Sequence, residues 1–229
     1  MSPKAHILLA SLLLALVLPS FAQSERTTDF GAILSAKYDG PLYKDFTIEV
    51  EEELRFDHHC TQLDRWLNSL TIEYPFFHRR MHVGLTGGYI RRHNDKGYFE
   101  NRGRIGFDVT YAETVRRFKF SYRSRVMATF RDENIGDYRV NPKVYWRHRI
   151  QASYQYPGSR FKYSLSAELH WLVNDPKHCI VDNLRTVFTV DYRLARQHTI
   201  SAFLRMDNDL QVSMPVDRFY LGITYHYKY

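Results

Sequence analysis

An alternation of apolar and polar residues with a period of two recurs from Phe46 to the last residue, and it constrains the fold more than any other feature. Phe46, Ile48, Val50, Leu54 and Phe56 share one parity, interrupted by Glu52. Thr47, Glu49, Glu51, Glu53 and Arg55 share the other. A strand sends successive side chains to opposite faces, so this segment has one apolar and one charged face. The pattern returns over Arg65–Tyr74, Met81–Arg92, Phe99–Tyr111, Phe118–Arg131, Trp146–Tyr156, Phe161–Trp171, Leu184–Arg193, Ile200–Asp207 and Arg218–Tyr229. Phe203 is an apolar exception on a polar face, and Phe30–Tyr38 repeats the pattern more weakly. No helical period persists.

The connectors alternate too. Pro75–Arg79, Ala112–Arg116, Pro157–Arg160 and Ala195–Gln197 are compact. Asp57–Gln62, His93–Gly97, Asp132–Pro142, Asn174–Ile180 and Asn208–Asp217 are mostly longer and polar. One meander of hairpins accounts for the chain.

Composition alone suggests a soluble basic protein, with mean hydropathy −0.45 and formal net charge +7. The aromatic share of 15% excludes disorder, and two cysteines cannot staple a disulfide scaffold of this length. A helical membrane bundle would need several apolar runs of about 20 residues. The order of the residues revises the soluble reading. A soluble β-barrel also has one apolar face per strand, but it would be overfilled by so many aromatic-rich faces. Mixed charges at strand centres suit a wet lumen, and aromatics beside the compact turns suit an interfacial girdle. The expected fold is therefore all-β: an antiparallel up-and-down transmembrane β-barrel of about 10 strands, with 12 as the alternative. Even parity makes Phe30–Tyr38 a partial strand or a segment at the compact-turn mouth, with both termini on that side.

Met1–Ala22 reads as a signal peptide. Lys4 supplies the charge, Ile7–Leu18 the apolar stretch, and Ser20-Phe21-Ala22 the small residues of a cleavage site. Residues 23–229 then form the barrel domain, and the bacterial outer membrane is the expected location. The final strand, Phe219 through Tyr229, ends on an aromatic residue like the signal by which barrel assembly machinery takes up its substrates.

Four stretches carry a family resemblance: Glu51–Phe56, Asp64–Asn68, Gly97–Arg102 and Phe120–Arg125. Over them the chain resembles domain of unknown function 2490, a bacterial family frequent in Bacteroidota. The resemblance implies a signal peptide and an outer-membrane-like barrel. It carries over no activity and no catalytic residue.

The expected lumen lining comprises Glu49, Glu51, Glu53, Arg102, Arg104, Arg123, Arg125, Arg147, Arg149, Arg185 and Arg205. About ten strands leave an interior little wider than side chains can fill, so these rows are expected to meet across the lumen. That arrangement fits either a stiffening ion-pair network or a narrow anion-preferring channel. The basic balance favours outer-membrane lipid and lipopolysaccharide phosphates as surroundings, not nucleic acid, and a monomer is expected. A rim hydrolase is the alternative, with Asp57, His58, His59, Asp64, His93, Asp95, Asp207 and Asp209 near outer strand ends. A lipase-like pair would need a serine beside the outward His148. A soluble periplasmic β-barrel binding protein is a further alternative. No cofactor and no metal site are expected, while Cys60 and Cys179 could form a disulfide between outer loops.

Overall fold

The computed structural model describes residues 26–94, 97–132, 140–175, 180–211 and 214–229. Met1–Ala22, expected to be a signal peptide, and Cys179 lie outside them. Eleven strands form the fold: β1 (Thr27–Tyr43), β2 (Phe46–Asp57), β3 (Gln62–Phe76), β4 (Met81–His93), β5 (Phe99–Val115), β6 (Phe118–Arg131), β7 (Lys143–Gln155), β8 (Phe161–Leu172), β9 (Ile180–Arg193), β10 (His198–Asp209) and β11 (Val216–Lys228). They close into one barrel in sequence order. Sequence neighbours pair antiparallel, and β1 closes on β11 in parallel, from Thr27 opposite Val216 to Asp39 opposite Lys228.

The all-β barrel and a count near ten hold, but the segment around Phe30–Tyr38 is a complete strand, 17 residues long. Its pattern is faint for a physical reason. Ala32 and Ala36 thin its apolar face, while Ile33 faces inward and is buried. The parity argument fails because a parallel seam lets an odd number of strands close. β1 therefore starts at the longer-loop end, not at the compact-turn end.

The compact hairpins turn on left-handed residues, including Lys44 (φ 51°), Arg116 (φ 57°) and the run Phe77, His78 and Arg79. Tight hairpins need positive φ to match the twist of the strands they join. His58, His59 and Cys60 form a similar left-handed run between β2 and β3. Asp29 of β1 accepts the backbone N–H groups of His58 and His59 at 3.2 Å each.

The apolar parity faces outward throughout. Leu34, Val50, Leu70, Leu85, Phe107, Val126, Ile150, Leu165, Leu204 and Leu221 are all exposed on the outer surface. Aromatic pairs border this band near the compact turns: Phe46 with Tyr74 (4.9 Å between ring centroids), Phe118 with Tyr154 (5.0 Å) and Phe161 with Tyr192 (4.8 Å). A second set lies toward the loops, with Phe30 on Phe219 and Trp146 on Trp171.

The interior is unequal along the barrel axis. In the half nearer the loops, Ile33, Ile90, Met127, Leu172 and Tyr220 are buried with Glu100, and they pack the lumen. The half nearer the compact turns stays wider. Phe203, the exception on its polar face, points inward opposite Gly222. A Cβ on Gly222 would lie 2.0 Å from the Phe203 ring, so glycine is what lets that ring lie against the wall.

Candidate functional site: the charged lumen

Inward parity places a charged side chain on most strands at mid-barrel, and the resulting cavity has a volume of about 740 Å³. Twelve Lys and Arg side chains line it against five Glu. Asp64, Asp108, Asp191 and Asp207 pair with lining cations from behind them, and the balance is still positive. A second recess of about 520 Å³ lies at the compact-turn end and shares Glu49, Glu73 and His82 with the first. The two spaces meet beside Glu49 and Glu73, on the β2–β3 side of the wall.

Ten of the eleven expected lining residues surround the main cavity. Glu49 lines both recesses. Glu51 takes Lys37 at 3.1 Å, and Glu53 takes Arg55 at 2.5 Å. Arg125 holds Asp108 at 2.5 Å. Arg123 and Arg147 both reach Glu168, at 2.7 and 3.6 Å. Arg185 lies between Asp207 at 2.8 Å and Glu168 at 4.0 Å, and Arg205 binds the same Asp207. Arg104 and Arg149 line the cavity and enter none of the ion pairs among the described residues. Arg102 is the exception: it is held on Glu100 at 2.6 Å, away from the cavity wall.

Every ion pair named above joins residues of one strand or of strands one or two apart. Cations of more distant strands also come within reach of one another, Arg104 of β5 with Arg55 of β2 and Arg185 of β9. The ion pairs thus run around the wall, and the positive rows approach across the lumen. In register the barrel places Arg149 beside both Arg123 and Glu168, and Arg185 between Glu168 and Asp207. Ladder neighbours are near enough for such pairs.

Glu168 and Lys37 are not among the expected lumen residues, and Asp207, expected at the rim, pairs with the lumen arginines Arg185 and Arg205. Glu168 was visible on the polar parity of its strand, but its role depends on which cations flank it in register. Lys37 was hidden because β1 did not read as a crossing. Tyr220 supports two site residues, with its ring 5.2 Å from the Arg55 guanidinium and 5.3 Å from that of Arg205.

The rim candidates are engaged in pairs of their own, and Asp57, Asp64 and Asp207 lie around Arg55. Asp64 is held by Arg65 at 2.5 Å and Arg92 at 3.1 Å, and Asp209 by Arg218 at 3.1 Å. His93 bonds Gln62. Asp95 lies outside the described residues. Cys60 is exposed in its turn, and the pairing with Cys179 falls outside them as well. His148 faces outward as expected, with Ser124 opposite it in register. Its Nδ1 shares a 2.7 Å hydrogen bond with Tyr122, while the Ser124 hydroxyl accepts from the Trp146 indole N–H at 2.8 Å.

Fold and lumen together define a closed β-barrel with an apolar outer face and a net-positive, ion-paired interior. The chain belongs to the family described as protein of unknown function (DUF2490), whose profile matches residues 30–213. Comparison with curated proteins gives no match. Among solved structures the chain is similar to an anion-selective porin from Comamonas acidovorans, at 13% identity and a TM-score of 0.39. That match covers 81% of this chain and 53% of the porin. It is also similar to the outer-membrane expressed OmpT of Vibrio cholerae, at 13% identity and a TM-score of 0.38, covering 72% and 54%. The chain spans about half the length of either.

Proposed function

We propose that this protein is exported by its signal peptide to the bacterial outer membrane, where it forms a narrow, anion-preferring channel. The excess of twelve cations over five acids on the cavity wall carries this reading. Rings of Arg and Lys favour anions in a pore, and the low-dielectric wall strengthens their field. The exposed apolar band and its aromatic borders support a membrane setting, since a barrel leaves no sheet edge in lipid. Compact turns then face the periplasm and the longer loops face outward, beside lipopolysaccharide. The aromatic parity ending at Tyr229 suits delivery by the barrel assembly machinery.

Ile33, Ile90, Met127 and Tyr220 are buried toward the loops, and on this reading the narrowest part of the channel is in that half. The same packing favours a second reading, a structural barrel whose lumen does not conduct. Planar-bilayer recording of the purified barrel separates the two. The channel predicts small steady conductance with anions more permeant than cations, and a lower preference after Arg149→Gln. A silent bilayer or cation preference would overturn it.

A further inference from the structure

The wall around Arg104 carries more positive charge than its own carboxylates can balance. Asp64 serves Arg65 and Arg92, Glu53 serves Arg55, and Asp207 serves Arg185 and Arg205. Glu168 serves Arg123 and Arg147, with Arg185 at its edge. Arg104 lies within reach of the charges of Arg147, Arg65, Arg55 and Arg185 and enters no ion pair among the described residues. Eight arginines thus share four carboxylates.

The nearby acids do not make up the difference. Glu51 is taken by Lys37, and Asp108 by Arg125. Glu49 and Glu73 line the cavity where it meets the recess at the compact-turn mouth, and neither is ion-paired to an arginine of the cluster. Asp57, hydrogen-bonded to Tyr220, lies within reach of Arg55 and Arg65 and offsets only part of their charge. The buried Nε groups of Arg55, Arg104 and Arg123 have no hydrogen-bond acceptor among the described residues. A buried N–H without an acceptor and a buried charge without a counter-charge are each costly.

We propose that this cluster is a binding site for a divalent oxyanion such as phosphate or sulfate, with Arg104 as its central ligand. The proposal names the substrate class of the lumen and so rests on the anion-preferring reading. Guanidinium forks match the planar pairs of oxygens on such ions, and several forks on different strands can hold one tetrahedral ion. Two negative charges also match the local excess better than one. Chloride lacks both the charge and the oxygen geometry. The route in is from the compact-turn side, past Glu49 and Glu73, because the loop side of the cluster is packed.

The test uses the full barrel refolded in detergent, titrated calorimetrically with inorganic phosphate or sulfate against chloride at equal ionic strength. Saturable phosphate and sulfate binding is expected, with chloride at least tenfold weaker. Arg104→Gln should weaken phosphate binding tenfold or more, and Arg104→Lys should recover part of it. Unfolding midpoints give a second readout that survives any folding defect in one variant. Phosphate should raise the wild-type midpoint. In chloride, Arg104→Gln should match or exceed the wild type, because it removes an uncompensated charge. Wild-type protein without saturable oxyanion binding, or Arg104→Gln binding as the wild type does, would overturn the site. A conducting barrel that fails this titration overturns the site alone. A silent barrel that passes it overturns the channel and retains the site.

Discussion

The ring of Phe203 lies against the backbone of Gly222, its register partner on the neighbouring strand, and an added Cβ there would stand 2.0 Å from the ring. Phe203 also lines the lumen cavity. Gly222→Val should therefore force the ring out of its site and destabilise the barrel by about 1–3 kcal/mol, the usual cost of overpacking. Urea unfolding with a heat-modifiability gel reads this directly. Phe203→Ala in the same chain should recover most of the loss. If the double variant is no better than Gly222→Val, the contact is not the cause.

Glu168 is the most heavily used carboxylate in the lumen, with Arg123, Arg147, Arg185 and His170 around it. Glu168→Gln keeps the shape but strands buried guanidinium groups. A loss of about 3–5 kcal/mol is expected in denaturant unfolding, as when one partner of a buried pair is removed. Glu51→Gln, which loses only the more exposed Lys37 contact, should cost much less. Equal losses for the two would contradict the assignment of Glu168 as the hub.

Glu52 is a carboxylate in the apolar outer band. Its ladder neighbours are Ala36 and Asn68, and its carboxylate accepts from the Trp66 indole N–H at 2.9 Å. An acid on a lipid-facing surface is unfavourable at depth, by less than the cost of a base there. Glu52→Leu should therefore raise stability in lipid vesicles by about 1 kcal/mol. A clear fall would mean that this surface meets water or a protein partner instead of lipid.

Parity itself can be tested with thiol labelling after replacing Cys60 and Cys179 by serine. Cysteine at Ser121 or Ser166, both on the lumen wall, should react with a small water-soluble reagent in vesicles. Cysteine at Ile150 or Leu165, both on the exposed apolar face, should be protected until detergent is added. Equal reactivity at all four sites would count against a membrane setting.

Charge at the mouth should act oppositely to charge in the cavity. Glu49→Gln with Glu73→Gln removes the two acids between the cavity and the recess and should increase anion preference and conductance in the planar bilayer. The change should be largest at low salt, because screening hides such charges once the Debye length falls to a few ångströms. No change at low salt would show that permeating ions do not pass these two acids.

Much of this was readable from the chain because a strand has only two faces. Once Phe46–Phe56 fixes its parity, the inward placement of Glu49, Glu51 and Glu53 follows without further information. The arginines of β5, β6 and β7 follow in the same way. What parity cannot supply is register. That Arg185 lies between Glu168 and Asp207 depends on hairpin lengths on both sides, and a shift of two residues would give each a different partner. Nor could parity recover β1. With alanines outside and Ile33 inside, its two faces differ too little in polarity. Arg102 shows the remaining limit, since facing inward does not place a side chain on the cavity when Glu100 holds it.

The parallel seam between β1 and β11 sets the order in which the barrel can form. Every other pairing joins strands adjacent in sequence, so each can zip as a local hairpin once its turn is made. The seam brings Ser35 and Thr224 within 2.7 Å across a separation of 189 residues. Such a contact carries a large loop-closure cost and no turn to guide it. Until the last strand arrives, the chain is a curved sheet with two open edges, each able to recruit a foreign strand. Closure is thus a step that the final thirteen-residue strand alone completes. An intermediate lacking it would be a finished wall with an open side, exposed to pairing with the β11 of another copy.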